Sequence, residues 1–164
     1  MQVKNLMRKN PATVSLNTPL SIVWDLLAHK QYHMLPVVDE NKYLAGIITA
    51  EDLLKNIVPD YREFFEEFYP EAPTIEDIED HIEKQTHLTA KDLMNTNVHT
   101  AAENMELFKA LSILMTHHVR ILPVIDNKSH IKGFIVEKDI FKFLFKAKHH
   151  LFNKLKKIKS SASQ

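Results

Sequence analysis

The sequence contains no cysteine and only two glycines in 164 residues. Without cysteine, disulfides, thiolate catalysis and cysteine-bound metal clusters are excluded. Two distant glycines cannot form a glycine-rich phosphate loop, and the sequence has no Gly-x-Ser-x-Gly nucleophile motif. No other catalytic set of residues is recognisable, so we do not expect this chain to be an enzyme.

Long apolar runs and net charge are missing as well. No stretch approaches the ~18 consecutive apolar residues that a membrane-spanning helix needs. The first residues lack the apolar core of a signal peptide, so we expect a cytoplasmic protein without a membrane span. The 21 basic and 21 acidic residues cancel, and overall charge therefore gives no reason to expect nucleic acid as a partner.

The charges are nevertheless unevenly distributed. Residues 60–89 carry ten acidic side chains and two basic ones, whereas residues 142–164 carry seven lysines and no acid. Such runs can attract each other or a partner, or can simply be solvated surfaces. Among the ten histidines, the adjacent pairs His117/His118 and His149/His150 lack the spacing that places two ligands on one helical face, and no further ligands lie nearby at zinc-like spacing, so no protein-bound metal site is expected.

The two glycines mark an internal repeat. Gly46 begins "GIITAEDLL" (motif 1, residues 46–54), and Gly133, 87 positions later, begins "GFIVEKDIF" (motif 2, residues 133–141). The same shift aligns "KNLM" with "KDLM" and "LPVVD" with "LPVID". One register shared by several anchors indicates a duplication, and two copies are too few for a solenoid. We therefore expect two similar units packed face to face.

Each copy has the pattern of a β-α-β-β-α unit. A short extended stretch precedes an amphipathic helical segment, then come a β-branched run, a turn, a second strand and a final helix. In the first copy, Thr18 is the predicted N-cap and Pro19 the first helical residue. The predicted fold is α/β (α+β), with the sheets of two pseudo-symmetric repeats packed together and covered by helices.

The predicted boundaries are repeat 1 at 1–57, an acidic helical insert at 58–89, repeat 2 at 90–146 and a basic helical tail at 147–164. In the insert we expect two short helices that dock on the repeats or on a partner, the second starting at a capping box formed by Thr74 and Asp77. The tail helix is amphipathic. It could form a dimer contact, lie on an anionic membrane surface or bind nucleic acid.

The first copy has the order "NLM…T…L…LPVVD…L.GIIT..DLL" and the second "DLM…T…L…R.LPVID…I.GFIV..DIF". This repeated order resembles a tandem pair of cystathionine-β-synthase-type (CBS) domains. The resemblance implies clefts between the repeats that hold AMP, ADP, ATP or S-adenosylmethionine, with Mg²⁺ accompanying a nucleotide in some members. It also implies a homodimer that senses the ligand and regulates an effector protein rather than catalysing a reaction.

The resemblance also implies which positions contact the ligand. A basic residue precedes each strand proline and meets phosphate, and an acid six residues after each glycine meets the ribose. In this sequence the implied positions are Thr13, His33, Pro36, Gly46, Thr49, Asp52, Thr100, Arg120, Pro123, Gly133 and Asp139.

Motif 1 admits two interpretations. An ionised carboxylate at Asp52 can accept both ribose hydroxyls, and the hydroxyl of Thr49 at a helix start suits a phosphate. The same two residues also fit a capping box, which needs no ligand. Motif 2 has Val136 in place of Thr49, so we predict unequal sites, with the first the better nucleotide site.

These observations lead to a functional hypothesis and an alternative. The hypothesis is a regulatory module that binds an adenosine-type ligand between its repeats and biases a partner protein. The alternative is a structural dimerisation or adaptor module without a ligand, with the basic tail binding nucleic acid or an anionic surface.

Overall fold

The computed structural model describes residues 1–30, 32, 34–57, 74–146 and 148. His33, residues 58–73 and nearly all of the tail lie outside these residues. The expectations for a phosphate-binding His33, for a first insert helix and for an amphipathic tail therefore stay predictions.

Repeat 1 contains the five elements that the sequence predicts, preceded by a short opening segment. The opening segment has a single 3₁₀ turn, Val3–Asn5, and a two-residue strand. The buried side chains of the first α-helix are spaced three and four residues apart and form one apolar face. The elements are β1 (Arg8–Lys9), β2 (Val14–Ser15), α1 (Leu20–Ala28), β3 (Leu35–Val38), β4 (Leu44–Ile48) and α2 (Ala50–Ile57).

The start of α1 differs from the prediction by one residue. Pro19 is the N-cap, with extended backbone angles, and Leu20 is the first helical residue. The Thr18 hydroxyl instead accepts a hydrogen bond from the Ser15 N–H at 3.0 Å, and the Thr18 carbonyl accepts one from the Ala90 N–H at 2.8 Å. Because Thr18 makes these bonds instead and Pro19 takes the N-cap position, the predicted Thr18 cap is wrong.

The rest of the described chain forms the second half of the insert and repeat 2. Thr74 caps the insert helix as predicted, because its N–H donates to Asp77 Oδ2 at 2.8 Å and its hydroxyl accepts from the Asp77 N–H at 3.2 Å. The elements are α3 (Ile75–Lys84), α4 (Ala90–Leu93), β5 (Ala101–Ala102), α5 (Leu107–Thr116), β6 (Ile121–Ile125), β7 (Ile131–Val136) and a helix, α6, at residues 137–146.

The strands form two sheets of similar construction. One has the order β2-β3-β4, in which β2 and β3 are parallel and β3 and β4 are antiparallel. The other has the order β1-β7-β6-β5, in which β5 and β6 are parallel and β1 pairs antiparallel with β7. The mixed α/β fold agrees with the prediction.

The compact units of the structure do not coincide with the sequence repeats. The repeat-1 unit contains the described residues of Asn10–Val98 together with Asn127–Ile131. The repeat-2 unit contains Met1–Lys9, His99–Asp126 and the described residues from Lys132 onward. Each unit thus combines the body of one repeat with the opening segment of the other.

Buried side chains show that the exchanged segments belong to the cores. In the repeat-2 unit, Val3 and Met7 pack in one cluster with residues such as Leu122 and Ile135. In the repeat-1 unit, the corresponding segment contributes Ala90 and Leu93 to the cluster. Burying apolar side chains is the main source of folding stability, so neither repeat has a complete core without the other's first residues.

The insert helix α3 packs on the repeat-1 unit. Ile78 and Ile82 lie against its core, whereas Ile75 is 75% exposed. His81 Nε2 lies 3.0 Å from the Asn56 carbonyl oxygen, which links α3 to α2. The second half of the insert therefore docks on the first repeat.

Candidate functional site

Motif 1 connects the end of β4 to the first turn of α2. The Thr49 N–H and hydroxyl both donate to Asp52 Oδ2, at 2.8 and 2.6 Å, and the Asp52 N–H donates to the Thr49 hydroxyl at 3.3 Å. Both residues are half-buried. The capping interpretation of this pair is therefore realised in the structure, and it uses one carboxylate oxygen.

The second oxygen of Asp52 remains available. Among the described residues, no side chain or N–H group donates to Asp52 Oδ1, and the other hydrogen bond of this residue, from the Asn56 amide, goes to its main-chain carbonyl. The N–H groups of the first helical turn carry a partial positive charge. Motif 1 thus presents a hydroxyl, a carboxylate oxygen and a helix N-terminus at one half-buried position.

Motif 2 has the same backbone course but different chemistry. Val136 is buried and has no hydroxyl to cap α6. Arg8 holds Asp139 through two hydrogen bonds, Nε to Oδ2 at 2.7 Å and Nη2 to Oδ1 at 3.1 Å. Donation to this carboxylate raises the pKa of Arg8, so the guanidinium stays charged.

The two glycines allow close backbone approach. A Cβ on Gly46 would lie 2.9 Å from the Asn95 carbonyl oxygen and 2.8 Å from Met94 Sδ, and a Cβ on Gly133 would overlap the carbonyl oxygen of Arg8. In each motif the glycine therefore admits the opening segment of the other repeat beside the strand. A direct role of either glycine in ligand binding stays a prediction.

The remaining predicted positions are divided between the repeat-1 unit and the repeat-2 unit. Thr13 is exposed just before β2, and Pro36 is fully buried in β3, both in the repeat-1 unit. In the repeat-2 unit, Thr100 is half-buried and Pro123 is buried within β6. Arg120 is exposed, and its carbonyl accepts the Glu137 N–H at 2.9 Å, which places this residue beside the start of α6.

The duplicated architecture and the motifs match a known family. A family model of the CBS domain matches residues 3–59 and 90–146, well over half of the chain. The chain is a member of the CBS domain family. The resemblance stated from the sequence is confirmed.

Two curated relatives differ in how much of their own length this chain matches. A CBS domain-containing protein of Dictyostelium discoideum is 32% identical over 145 residues, covering 88% of this chain and 91% of that protein. The inosine-5′-monophosphate dehydrogenase of Thermoplasma acidophilum is 30% identical over 128 residues, but the match covers 78% of this chain and 20% of the enzyme. The chain therefore corresponds to one small part of that enzyme.

Solved CBS structures share the fold. CBSX2 of Arabidopsis thaliana in complex with AMP has a TM-score of 0.68 and 22% identity, covering 90% of this chain and 98% of that chain. A CBS domain pair in complex with 5′-methylthioadenosine and S-adenosyl-L-methionine has a TM-score of 0.66 and 24% identity, with the same coverage. At these identities the likeness establishes a common CBS-pair architecture.

Sequence reasoning missed Arg8 and its counterpart in this CBS pair. Arg8 pairs with Phe134 across β1 and β7, and Asn95 pairs with Ile47 in an isolated antiparallel bridge. Both residue pairs are related by the same shift of 87 positions. The signal was present in the repeat register, where an arginine aligns with an asparagine next to "KNLM" and "KDLM". Only the structure shows that Arg8 reaches the acid of motif 2.

Other features of the described residues do not add to the site. A cavity of about 570 Å³ lies between α1 and α3, lined by Leu20, Ser21, Trp24, Ile82 and Thr86, and includes none of the predicted positions. Within the described residues there is no group of three or more metal-ligating side chains. Across the same part of the chain, no helix is long and apolar enough to cross a membrane.

Proposed function

We propose that this protein is a regulatory module that binds an adenosine-type ligand at motif 1 and biases a partner protein. The observation that carries the proposal is the arrangement of Thr49 and Asp52, with one carboxylate oxygen unengaged beside a helix N-terminus. A ribose offers two hydroxyl donors to such a carboxylate. AMP and S-adenosyl-L-methionine in the two related structures support this ligand class.

The choice among AMP, ADP, ATP and S-adenosylmethionine is part of the experiment. A thermal-shift screen with each compound, with and without Mg²⁺, identifies the ligand, since ~100-fold excess over the dissociation constant stabilises by about 2.7 kcal/mol. Any Mg²⁺ would be held mainly through the nucleotide phosphates. Calorimetry then measures the affinity of the best ligand.

A matched control separates ligand binding from helix capping. Asp52→Ala is expected to weaken binding at least tenfold, because it removes a charged acceptor. Asp77→Ala removes the same type of box from α3, whose hydrogen-bond geometry closely matches that of motif 1, and should leave the affinity unchanged. Equal affinity of wild type and Asp52→Ala would refute the assignment of motif 1.

A second candidate function, dimerisation, is favoured by exposed apolar side chains on the helices of the repeat-2 unit. Phe108 and Met115 are exposed on α5, seven residues apart, and Phe141 and Phe145 on α6, four apart. Side chains at these spacings lie on one helix face. A second copy of this chain covering these faces would give a homodimer that serves either the sensing or the purely structural role.

Sedimentation velocity tests the dimer. Phe141→Glu is expected to shift the protein towards monomer at micromolar concentration, whereas Lys142→Glu, at the neighbouring exposed position of α6, should not. A wild-type protein that sediments as a monomer would exclude this second function. The cytoplasmic location and the effector protein stay predictions from the sequence.

A further inference from the structure

Arg8 and Asn95 occupy equivalent positions opposite the two motifs. Each lies in the opening segment of a repeat and pairs with the strand that leads into a motif, Arg8 with Phe134 and Asn95 with Ile47. These are the only described places where an opening segment pairs with β4 or β7. The duplication therefore presents two matched positions, which carry an arginine in one opposing segment and an asparagine in the other.

The guanidinium of Arg8 engages the whole carboxylate of Asp139. Its Nε and Nη2 reach different oxygens, at 2.7 and 3.1 Å, which is the bidentate geometry that arginine favours. The Arg8 Cζ also lies 5.9 Å from the centre of the Phe134 ring, within range of a cation–π contact. The Asp139 side chain is only 16% exposed, so most of this carboxylate is shielded from solvent.

Asn95 leaves the acid of motif 1 untouched. Its side-chain oxygen accepts the Asn97 N–H at 2.9 Å, within its own segment. Its backbone N–H and carbonyl pair with Ile47. An asparagine is shorter than arginine and carries no charge, so it does not compete for Asp52.

We propose that Arg8 is an internal occupant of the second site: it takes the carboxylate that a ribose would need, so that the chain binds one nucleoside ligand rather than two. This inference rests on the proposed function of motif 1 but concerns a different site. Nucleoside hydroxyls are neutral donors and do not displace a charged bidentate donor that is covalently part of the fold. The loss of the hydroxyl at Val136 adds to the effect without being its main cause.

The test converts motif 2 into motif 1 stepwise. Isothermal titration with AMP compares wild type, Val136→Thr, and Val136→Thr combined with Arg8→Asn, the residue found at the equivalent position 95. We expect one site in wild type and in Val136→Thr, and two in the double variant. Asp139→Ala in the double variant should remove only the new site.

A second double variant, with Arg8→Met in place of Arg8→Asn, controls for loss of folding. Methionine retains an apolar stem over Phe134, and circular dichroism monitors the folding of each variant.

Each outcome decides the inference. A second site in Val136→Thr alone, or a single site in both folded double variants, would overturn the role of Arg8. Binding by the double variants at Asp139 with no binding by wild type would support Arg8 as the occupant while refuting the proposed function of motif 1. Absence of binding in every folded protein would refute both.

Discussion

The two motifs occupy equivalent positions in their repeats, but their acidic side chains have different partners. In motif 1 the acid, Asp52, is bound among the described residues only by its own helix start, which leaves one oxygen without a donor from that part of the chain. In motif 2 the acid, Asp139, is bound by a guanidinium that arrives from the start of the chain. The difference teaches that duplicated sites can diverge through the segment that faces the motif as well as through the motif itself.

The glycines provide the largest expected difference between the two halves. Gly133→Ala should lower the free energy of unfolding by about 1–3 kcal/mol, as overpacking does, because the new Cβ would overlap the backbone oxygen of Arg8. Gly46→Ala should cost less, because part of its obstruction is the flexible Met94 side chain. Denaturant titration measures both, and a larger loss for Gly46→Ala would show that the segment around Arg8 yields to a new Cβ more readily than the segment around Asn95.

Exchanging the residue at the helix start should make the halves more alike. Thr49→Val removes the N-cap of α2 and should cost about 1 kcal/mol. Val136→Thr places a hydroxyl three residues before Asp139, where it can accept the Asp139 N–H. It should therefore stabilise α6 by part of the free energy that a cap contributes to α2. Equilibrium unfolding of the two single variants provides the comparison, and a destabilising Val136→Thr would mean that the buried site does not accept a hydroxyl.

The Arg8–Asp139 pair should have a small effect on the stability of the fold and a larger one on ligand binding at motif 2. Because the Arg8 side chain is 43% exposed, Arg8→Met is expected to cost less than about 1 kcal/mol, and less still at high salt. Lys9→Met, at the next exposed position of β1, is the control for changing one positive charge. A loss of several kcal/mol for Arg8→Met would instead identify the ion pair as a structural core element.

The smallest expected difference is a response to acid. Asp92 closes a capping box with Thr89, and hydrogen bonds from the Thr89 hydroxyl and N–H lower the pKa of Asp92 below its usual 3.8. The equivalent residue in the other opening segment is Asn5, which accepts the Gln2 N–H at 3.0 Å and does not titrate.

A lowered folded-state pKa contributes stability above the unfolded pKa, and this contribution is lost as pH falls through the folded-state pKa. Unfolding free energies measured from pH 5 downward should therefore decline more steeply in wild type than in Asp92→Asn. Asp77→Asn, which removes a carboxylate with a similarly lowered pKa, should reduce the slope as well. Parallel pH profiles for wild type and Asp92→Asn would contradict the assignment.

The sequence predicted the parts of this structure that depend on local patterns. The repeat register, the β-α-β-β-α order and the capping boxes at Thr49 and Thr74 all follow from neighbouring residues. The Thr18 cap was predicted wrongly because Thr18 instead bonds to Ser15 and to the distant Ala90, and the helix begins only after the extended Pro19.

The partner of Asp139 could not be predicted, because it depends on pairing between strands more than 100 residues apart. β1 is two residues long and polar, which is too short for a recognisable alternation. Its place beside β7 follows from the burial of Val3 and Met7 in the repeat-2 unit. Only that placement brings Arg8 within reach of Asp139.

The exchange of opening segments has a consequence for how the chain folds during its synthesis. Val3 is synthesised before Leu122 and Ile135, which belong to the cluster that buries it and follow more than 100 residues later. Contacts of such long separation slow folding, because loop closure precedes their energetic benefit. Repeat 1 alone would emerge with an incomplete core, so the cluster around Val3 should form only after β6 and β7 have been synthesised.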